Sequence, residues 1–128
     1  MSAPARCYVE HVAIRVHDLD WHLRFFREAL GMEIRDIDGE EAAPRQVWLR
    51  GGPQLVADPE FKGPEGRLYH LGVMTADLEA SIAAAQDWAV RELPQGRNWL
   101  ALPDGLVVEL LQASPGAVEA ALAVNPRA

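Results

Sequence analysis

The chain has 128 residues, of which 49% are hydrophobic and 24% charged, so it has the length and composition of one globular domain and not of a disordered or fibrous protein. Its 12 Lys and Arg residues against 19 Asp and Glu residues give a net charge of −7 with no basic run, which argues against nucleic acid or an anionic membrane as a partner. A single cysteine excludes an internal disulfide or a thiolate zinc cluster, and no apolar run is long enough for a secretion signal or a membrane span, so we expect a cytoplasmic protein.

The first half of the chain predicts a strand, a helix and three further strands. Apolar side chains alternate with others over residues 11–16, as in a strand with two distinct faces. Asp18 is a good N-cap for the next helix. The apolar residues of this helix recur at spacings of four, three and four, which predicts that they pack in the core: Leu19, Leu23, Phe26 and Leu30. The segments that follow are a strand over 32–37, a loop over 38–44, and strands over 46–50 and 54–58.

The second half repeats this plan. When His70 is aligned with His11, an Asp-Leu-acid triplet begins seven residues after each histidine, at Asp77 and at Asp18. Asp77 therefore predicts a second N-cap and a second helix. The predicted elements are a strand over 67–74, that helix, strands over 89–93, 99–102 and 106–112, and a short terminal helix over 116–124.

The repeated plan predicts an α+β fold of two βαβββ modules within a single domain over residues 1–128. Two copies are too few for a solenoid, so we expect a pseudo-symmetric pair. The expected boundaries are module one at about 6–58, a Pro- and Gly-rich linker at about 59–66, module two at about 67–113 and a C-terminal helix at about 114–124.

Three residues on the predicted strands could bind a metal ion. His11 and His70 occupy equivalent positions in the two copies, and small residues lie beside each of them. Glu109 interrupts an apolar strand, where a carboxylate is costly to bury unless it is paired, protonated or bound to a cation. Two imidazoles and one carboxylate suit a divalent metal with open coordination positions, as in a catalytic site. The alternative is that His11 and His70 are ordinary polar residues on half-buried strands, and that Glu109 is a partly solvated carboxylate at a sheet edge.

Four further residues are candidates for substrate binding. Arg15 could hold an anionic group of a substrate, or form a surface ion pair with Glu33 or Asp36. The tryptophans Trp48 and Trp99 could line a pocket, although large aromatic residues on strands also serve in cores and dimer contacts. The fourth candidate, Gln54, is a polar residue on a predicted strand and could face either the site or water.

In order and spacing, these motifs resemble the vicinal oxygen chelate superfamily, which includes glyoxalase I, fosfomycin-resistance transferases, extradiol dioxygenases and bleomycin-resistance proteins. The resemblance spans about residues 8–113. The motifs that carry it are His11-Val12-Ala13-Ile14-Arg15-Val16, Asp18-Leu19, Phe25-Phe26, Leu30-Gly31-Met32, His70-Leu71-Gly72-Val73, Asp77-Leu78-Glu79, Pro103-Asp104-Gly105 and Val108-Glu109-Leu110.

The resemblance implies a cupped mixed sheet around a metal site, with His11, His70 and Glu109 as ligands and Zn, Ni, Mn, Co or Fe as the ion. It also implies a homodimer. The first-half position that matches Glu109 is Val56, or Gln54 if the register slips by two residues. Glyoxalase I has a carboxylate at that position, so this departure argues against glutathione-dependent glyoxalase activity. Arg15 points the other way, because it is similar to an arginine that contacts glutathione in glyoxalase I.

The sequence therefore predicts a metal-dependent, glyoxalase-like lyase or isomerase whose small substrate chelates a divalent metal through neighbouring oxygens. One alternative is an extradiol-type dioxygenase. Another is a metal-free protein that binds a small molecule or antibiotic, as bleomycin-resistance proteins do. Placement of Trp48 and Trp99 on the site face would favour that last alternative.

Overall fold

The computed structural model describes residues 4–30, 32–103 and 105–127, so the motif positions Gly31 and Asp104 lie outside the described residues. Within these ranges the chain forms a mixed sheet of eight strands with three α-helices, which confirms the predicted α+β class. The elements are β1 Cys7–Val16, α1 Leu19–Arg24 with a π-helical turn Phe25–Ala29, β2 Ile34–Glu40, β3 Ala43–Leu49, β4 Pro53–Ala57, β5 Leu68–Thr75, α2 Leu78–Ala85 with a 3-10 turn Gln86–Trp88, β6 Arg91–Leu93, β7 Gly96–Ala101, β8 Val107–Gln112 and α3 Ala117–Ala123. No described helix is long and apolar enough to cross a membrane.

Residues 11–70 form one compact unit. Its strands lie in the order β2-β3-β4-β1, with β1 and β4 parallel and the other neighbours antiparallel. Val16, Val47 and Leu55 are fully buried on the face that α1 covers, together with Leu19 and Leu49. Because side chains alternate along a strand, His11 and its face-mates lie on the opposite face.

The helix of this unit begins as predicted and ends differently. The Asp18 carboxylate accepts a hydrogen bond from the Trp21 backbone N–H at 3.0 Å, which is an N-cap. Leu19 is buried, and Leu23 and Phe26 pack against the core, but Leu30 is 52% exposed. The prediction of Leu30 as a core residue is therefore wrong. The π-helical turn Phe25–Ala29 has a longer repeat than an α-helix, which rotates Leu30 away from the buried stripe.

The predicted loop over 38–44 is also wrong, because β2 and β3 form a hairpin through that segment with a turn at residues 41–42. The pairing shifts register between Asp38 and Gly39, where Gly39 has φ +99°, a backbone conformation that favours glycine. The longer hairpin brings Asp38 opposite Gln46. Polar composition suggested a loop here, whereas edge strands are commonly polar as well.

The remaining described residues form the second compact unit. The strands of the second half of the chain lie in the order β5-β8-β7-β6, with β5 and β8 parallel. The core of this unit contains Ile82, Leu100 and Leu110 beneath α2. Asp77 caps α2 by accepting a hydrogen bond from the Ala80 backbone N–H at 3.1 Å. The module and linker boundaries expected from the sequence remain predictions.

Candidate metal centre

Two buried histidines face each other on β1 and β5. His11 is 5% exposed and His70 is 3% exposed, and their Nε2 atoms lie 3.3 Å apart. The rings meet edge to face, with centroids 5.3 Å apart. Two imidazole nitrogens on a tetrahedral metal, each about 2.0–2.1 Å from it, lie roughly 3.3 Å apart. The pair therefore already has the spacing that a shared ion requires.

Glu109 occupies β8 and is half-buried. It lies opposite Gly72 of β5 and opposite Trp99 of β7. Gly72 follows His70 by two residues on the same strand, so the two positions share a face. One ligand atom from each of His11, His70 and Glu109 lies within 4.8 Å of the other two. The structure thus brings the three sequence-predicted ligands together.

The first unit carries Gln54 at the position that matches Glu109. Gln54 of β4 lies opposite Ala13, which follows His11 by two residues, just as Glu109 lies opposite Gly72. Val56 lies opposite Arg15 instead. Strand register therefore selects Gln54 of the two alternatives that the sequence left open. The sequence could not decide between them because a shift by two residues leaves every side chain on the same face.

The Gln54 side chain is 4% exposed, and its two polar atoms differ in their hydrogen bonding. Its Nε2 donates a hydrogen bond to Gln46 Oε1 at 2.7 Å. Its Oε1 is buried and has no hydrogen-bond partner among the residues that the structure describes. A buried carbonyl oxygen without a partner costs about 1–3 kcal/mol, so an electropositive group at this position would be stabilising.

Gln46 continues the hydrogen bonding toward the surface. Its Nε2 donates to Asp38 Oδ2 at 2.9 Å, and Arg45 Nη2 donates to Asp38 Oδ1 at 2.7 Å. The hydrogen bond from Arg45, followed by that from Gln46, lowers the pKa of Asp38 below its ordinary value of 3.8. The sequence analysis missed both Gln46 and Asp38. The available signal was that Gln46 alternates in phase with Trp48 on β3.

Trp48 and Trp99 occupy matching places beside the two polar positions. Trp48 lies opposite Gln54, and Trp99 lies opposite Glu109, both in antiparallel pairs. Directly opposed residues project from the same face of a sheet. Both half-buried tryptophans are therefore on the faces that carry the candidate ligands, which is the placement that the sequence left open.

Arg15 is held by its own neighbours. Its Nη1 donates to the Gly66 carbonyl at 2.6 Å, and its guanidinium carbon lies 4.5 Å from the centre of the Tyr69 ring. The carboxylate beside it is that of Asp58, whose Oδ2 lies 3.9 Å from Arg15 Nε, and not that of the expected Glu33 or Asp36. A substrate contact at Arg15 remains a prediction, and it would use an arginine that already anchors the β4–β5 loop.

A separate concave surface lies on the helix-covered face of the second unit. It has a volume of about 580 Å³ and is lined mainly by apolar side chains of α2, β7 and β8, including Trp88, Leu100 and Leu110. Leu100 and Leu110 alternate with Trp99 and Glu109 along their strands. This surface therefore lies on the opposite face of the strands from the candidate metal ligand Glu109.

The comparisons with known proteins agree with the α+β fold described above. The family model of the Glyoxalase/Bleomycin resistance protein/Dioxygenase superfamily matches residues 8–91. An uncharacterised protein of Bacillus subtilis (strain 168), YwbC, is 26% identical over 121 residues, which cover 81% of this chain and 96% of YwbC.

Solved structures show the same similarity. A hypothetical protein from Bacillus halodurans C-125 has a TM-score of 0.63 at 14% identity and covers 87% of this chain and 97% of its own. A variant of methylmalonyl-CoA epimerase from Streptomyces coelicolor, in complex with 2-nitronate-propionyl-CoA, has a TM-score of 0.60 at 25% identity and covers 83% and 96%. Methylmalonyl-CoA epimerase from Mycobacterium tuberculosis has a TM-score of 0.61 at 22% identity and covers 90% and 91%.

Proposed function

Because the chain belongs to the Glyoxalase/Bleomycin resistance protein/Dioxygenase superfamily, we propose that it is a metal-dependent lyase or isomerase. Its substrate would be a small molecule that presents two neighbouring oxygens to a divalent metal ion. The observation that carries the proposal is the convergence of two buried imidazoles and one carboxylate, with ligand atoms within 4.8 Å of one another.

The residues present fit such an ion. Neutral imidazole and carboxylate are ligands for Zn, Ni, Co, Mn and Fe(II), and three protein ligands leave positions open for a substrate. His11, His70 and Glu109 would hold the ion. Gln54 Oε1, buried on the same face as His11, is a further acceptor for the ion or for a donor group of the substrate.

When bound, the ion would act as a Lewis acid that stabilises negative charge developing on the substrate oxygens. The side chains of the protein would position the substrate. Trp48 and Trp99 offer flat apolar walls beside Gln54 and Glu109. Arg15, which is held in place by its hydrogen bond to the β4–β5 loop, would attract an anionic group of the substrate.

An isomerase is the favoured reaction type because several structural neighbours are methylmalonyl-CoA epimerases, which are isomerases. Two other functions each have one supporting observation. A set of two histidines and one carboxylate also suits Fe(II) and oxygen chemistry, which favours an extradiol-type dioxygenase. The paired tryptophans on the ligand face favour a metal-free protein that binds an aromatic compound.

The metal content of the protein, purified without a metal-binding tag, tests the proposal. We expect about one divalent ion per chain after reconstitution, and loss of that ion in His70→Ala but not in His17→Ala, which removes an exposed histidine. Absence of stoichiometric metal under every reconstitution condition would exclude the metal-dependent enzyme and favour the metal-free binder. Retention of Fe(II) alone, with uptake of oxygen in the presence of catechols, would support the dioxygenase.

The expected homodimer remains a proposal as well. Sedimentation of the same preparations, with and without metal, measures it directly. A monomer at all concentrations would remove the dimer from the proposal without affecting the metal site, because all three ligand atoms come from one chain.

A further inference from the structure

A line of four side chains connects the surface of the first unit to its buried glutamine. It runs from Arg45 to Asp38 on β2, to Gln46 on β3 and to Gln54 on β4. The three links are 2.7, 2.9 and 2.7 Å long, within the range of good hydrogen bonds. We call these four residues the amide relay.

The chemistry of the two end groups fixes which atoms donate and which accept along the relay. An ionised carboxylate can only accept hydrogen bonds, and a guanidinium can only donate them. Gln46 must therefore turn its NH2 group toward Asp38, which leaves its carbonyl oxygen toward Gln54. Gln54 must then donate through its own NH2 group, and its carbonyl oxygen is turned away into the buried face. Reversal of either amide would place two acceptors or two donors against each other.

We propose that Asp38, acting through Gln46, is a positioning residue that fixes Gln54 as a hydrogen-bond acceptor at the candidate metal centre, and so selects an electropositive group there. This inference rests on the proposed function only for the identity of that group. A metal ion and an O–H or N–H donor of the substrate share the required chemistry. A carboxylate or phosphate oxygen of the substrate is disfavoured at this position.

The test uses Asp38→Asn, because an asparagine can donate as well as accept and so removes the direction of the relay. The side-chain NH2 signals of Gln54 in the metal-free, 15N-labelled protein report its orientation. We expect the single wild-type pair of signals to be lost or doubled, and the NH2 protons to exchange with water about fivefold to tenfold faster, as suits the loss of one hydrogen bond. Asp36→Asn, which removes the same charge from the same strand, should leave these signals unchanged.

A double variant separates the proposal from general damage to the fold. In Asp38→Asn combined with Gln46→Glu, the carboxylate moves one step along the relay and can again only accept from Gln54. We expect the wild-type pattern of Gln54 signals to return. Unchanged Gln54 signals in Asp38→Asn, or a folded double variant in which they do not return, would overturn the proposal.

Titration with Co2+ then identifies the electropositive group. A loss of about tenfold or more in Co2+ affinity in Asp38→Asn, as outer-shell changes commonly cause, assigns the acceptor to the metal. Unchanged Co2+ affinity together with altered Gln54 signals assigns it to a donor group of the substrate. Failure of the wild type to bind any divalent metal would contradict the proposed function, while the Gln54 signals would still decide on the relay.

Discussion

The two sequence repeats place the same kinds of residue in the same register and differ at one charge. In each repeat a histidine begins the site, a small residue follows two positions later, and a polar residue lies opposite that small residue on a parallel strand. The polar residue is Gln54 in one unit and Glu109 in the other. A divalent ion with a single carboxylate ligand keeps a net positive charge, which favours a substrate that binds as an anion.

The surroundings of the two polar residues explain how the difference is maintained. Two positions before the tryptophan on the neighbouring strand, the first unit has Gln46, which hydrogen-bonds Gln54. The matching residue of the second unit is Arg97, which instead pairs with Glu79 at the surface at 3.2 Å. The neutral amide of Gln54 thus belongs to a chain of hydrogen bonds, whereas the side chain of Arg97 forms an ion pair at the surface instead.

Converting both polar positions to amides should have the strongest consequence for metal binding. Glu109→Gln removes the only carboxylate of the proposed ligand set, so we expect Co2+ affinity to fall by about 100-fold or more, because changes to outer-shell partners alone cost about 10-fold to 100-fold. Calorimetric titration measures the change. Glu79→Gln removes an exposed carboxylate from the same unit and is the matched control. Equal affinity in Glu109→Gln and wild type would remove Glu109 from the ligand set.

The opposite change makes both polar positions carboxylates, and it tests why the first unit has a neutral side chain at position 54. In Gln54→Glu, the new carboxylate would meet Gln46 Oε1, because Asp38 holds the Gln46 NH2 group. We expect the free energy of unfolding, measured in urea, to fall by about 1–3 kcal/mol. Adding Asp38→Asn frees Gln46 to turn and should restore part of that loss. If the single variant is as stable as wild type, the relay does not constrain this position.

The matching tryptophans allow a spectroscopic test of where the ion binds. Co2+ quenches nearby indole emission, and Trp48 and Trp99 lie beside the two polar positions. We expect most of the quenching to disappear in Trp48→Phe combined with Trp99→Phe. The double variant Trp21→Phe and Trp88→Phe is the control, because these side chains are 50% and 75% exposed. Quenching that depends on the control pair would place the ion elsewhere.

A weaker effect is expected when the stability of the protein is measured as a function of pH. The pKa of Asp38 is lowered on folding, so ionised Asp38 stabilises the folded state above its ordinary value of 3.8, and this stabilisation is lost as pH falls through the folded-state pKa. The difference in urea midpoint between wild type and Asp38→Asn should therefore shrink from neutral pH to about pH 2. A difference that grows on acidification would contradict the sign of the pKa shift.

Much of the site follows from local patterns in the sequence. Alternation along β1 and β8 places His11 and Glu109 on faces away from the helix-covered cores, and the repeated aspartates cap both helices where expected. These features depend on neighbours in the chain and on the period of a strand, which a sequence displays directly.

The features that the sequence did not predict depend on pairing between strands. The choice between Gln54 and Val56 is a matter of register, and a shift of two residues leaves the alternating pattern intact. The hairpin through Asp38 was hidden because its polar composition also suits a loop. Gln46 and Gln54 lie on separate strands, and alternation along β3 predicts the face of Gln46 but not its hydrogen-bond partner.

The π-helical turn at Phe25–Ala29 marks a place where the chain carries one residue more than an ordinary helical repeat needs. Deleting a single residue there would return the segment to that repeat and swing Leu30 from water toward the hydrophobic interior. Shortening the chain at this point should thus extend α1 while leaving the strands that carry His11 and Gln54 unchanged.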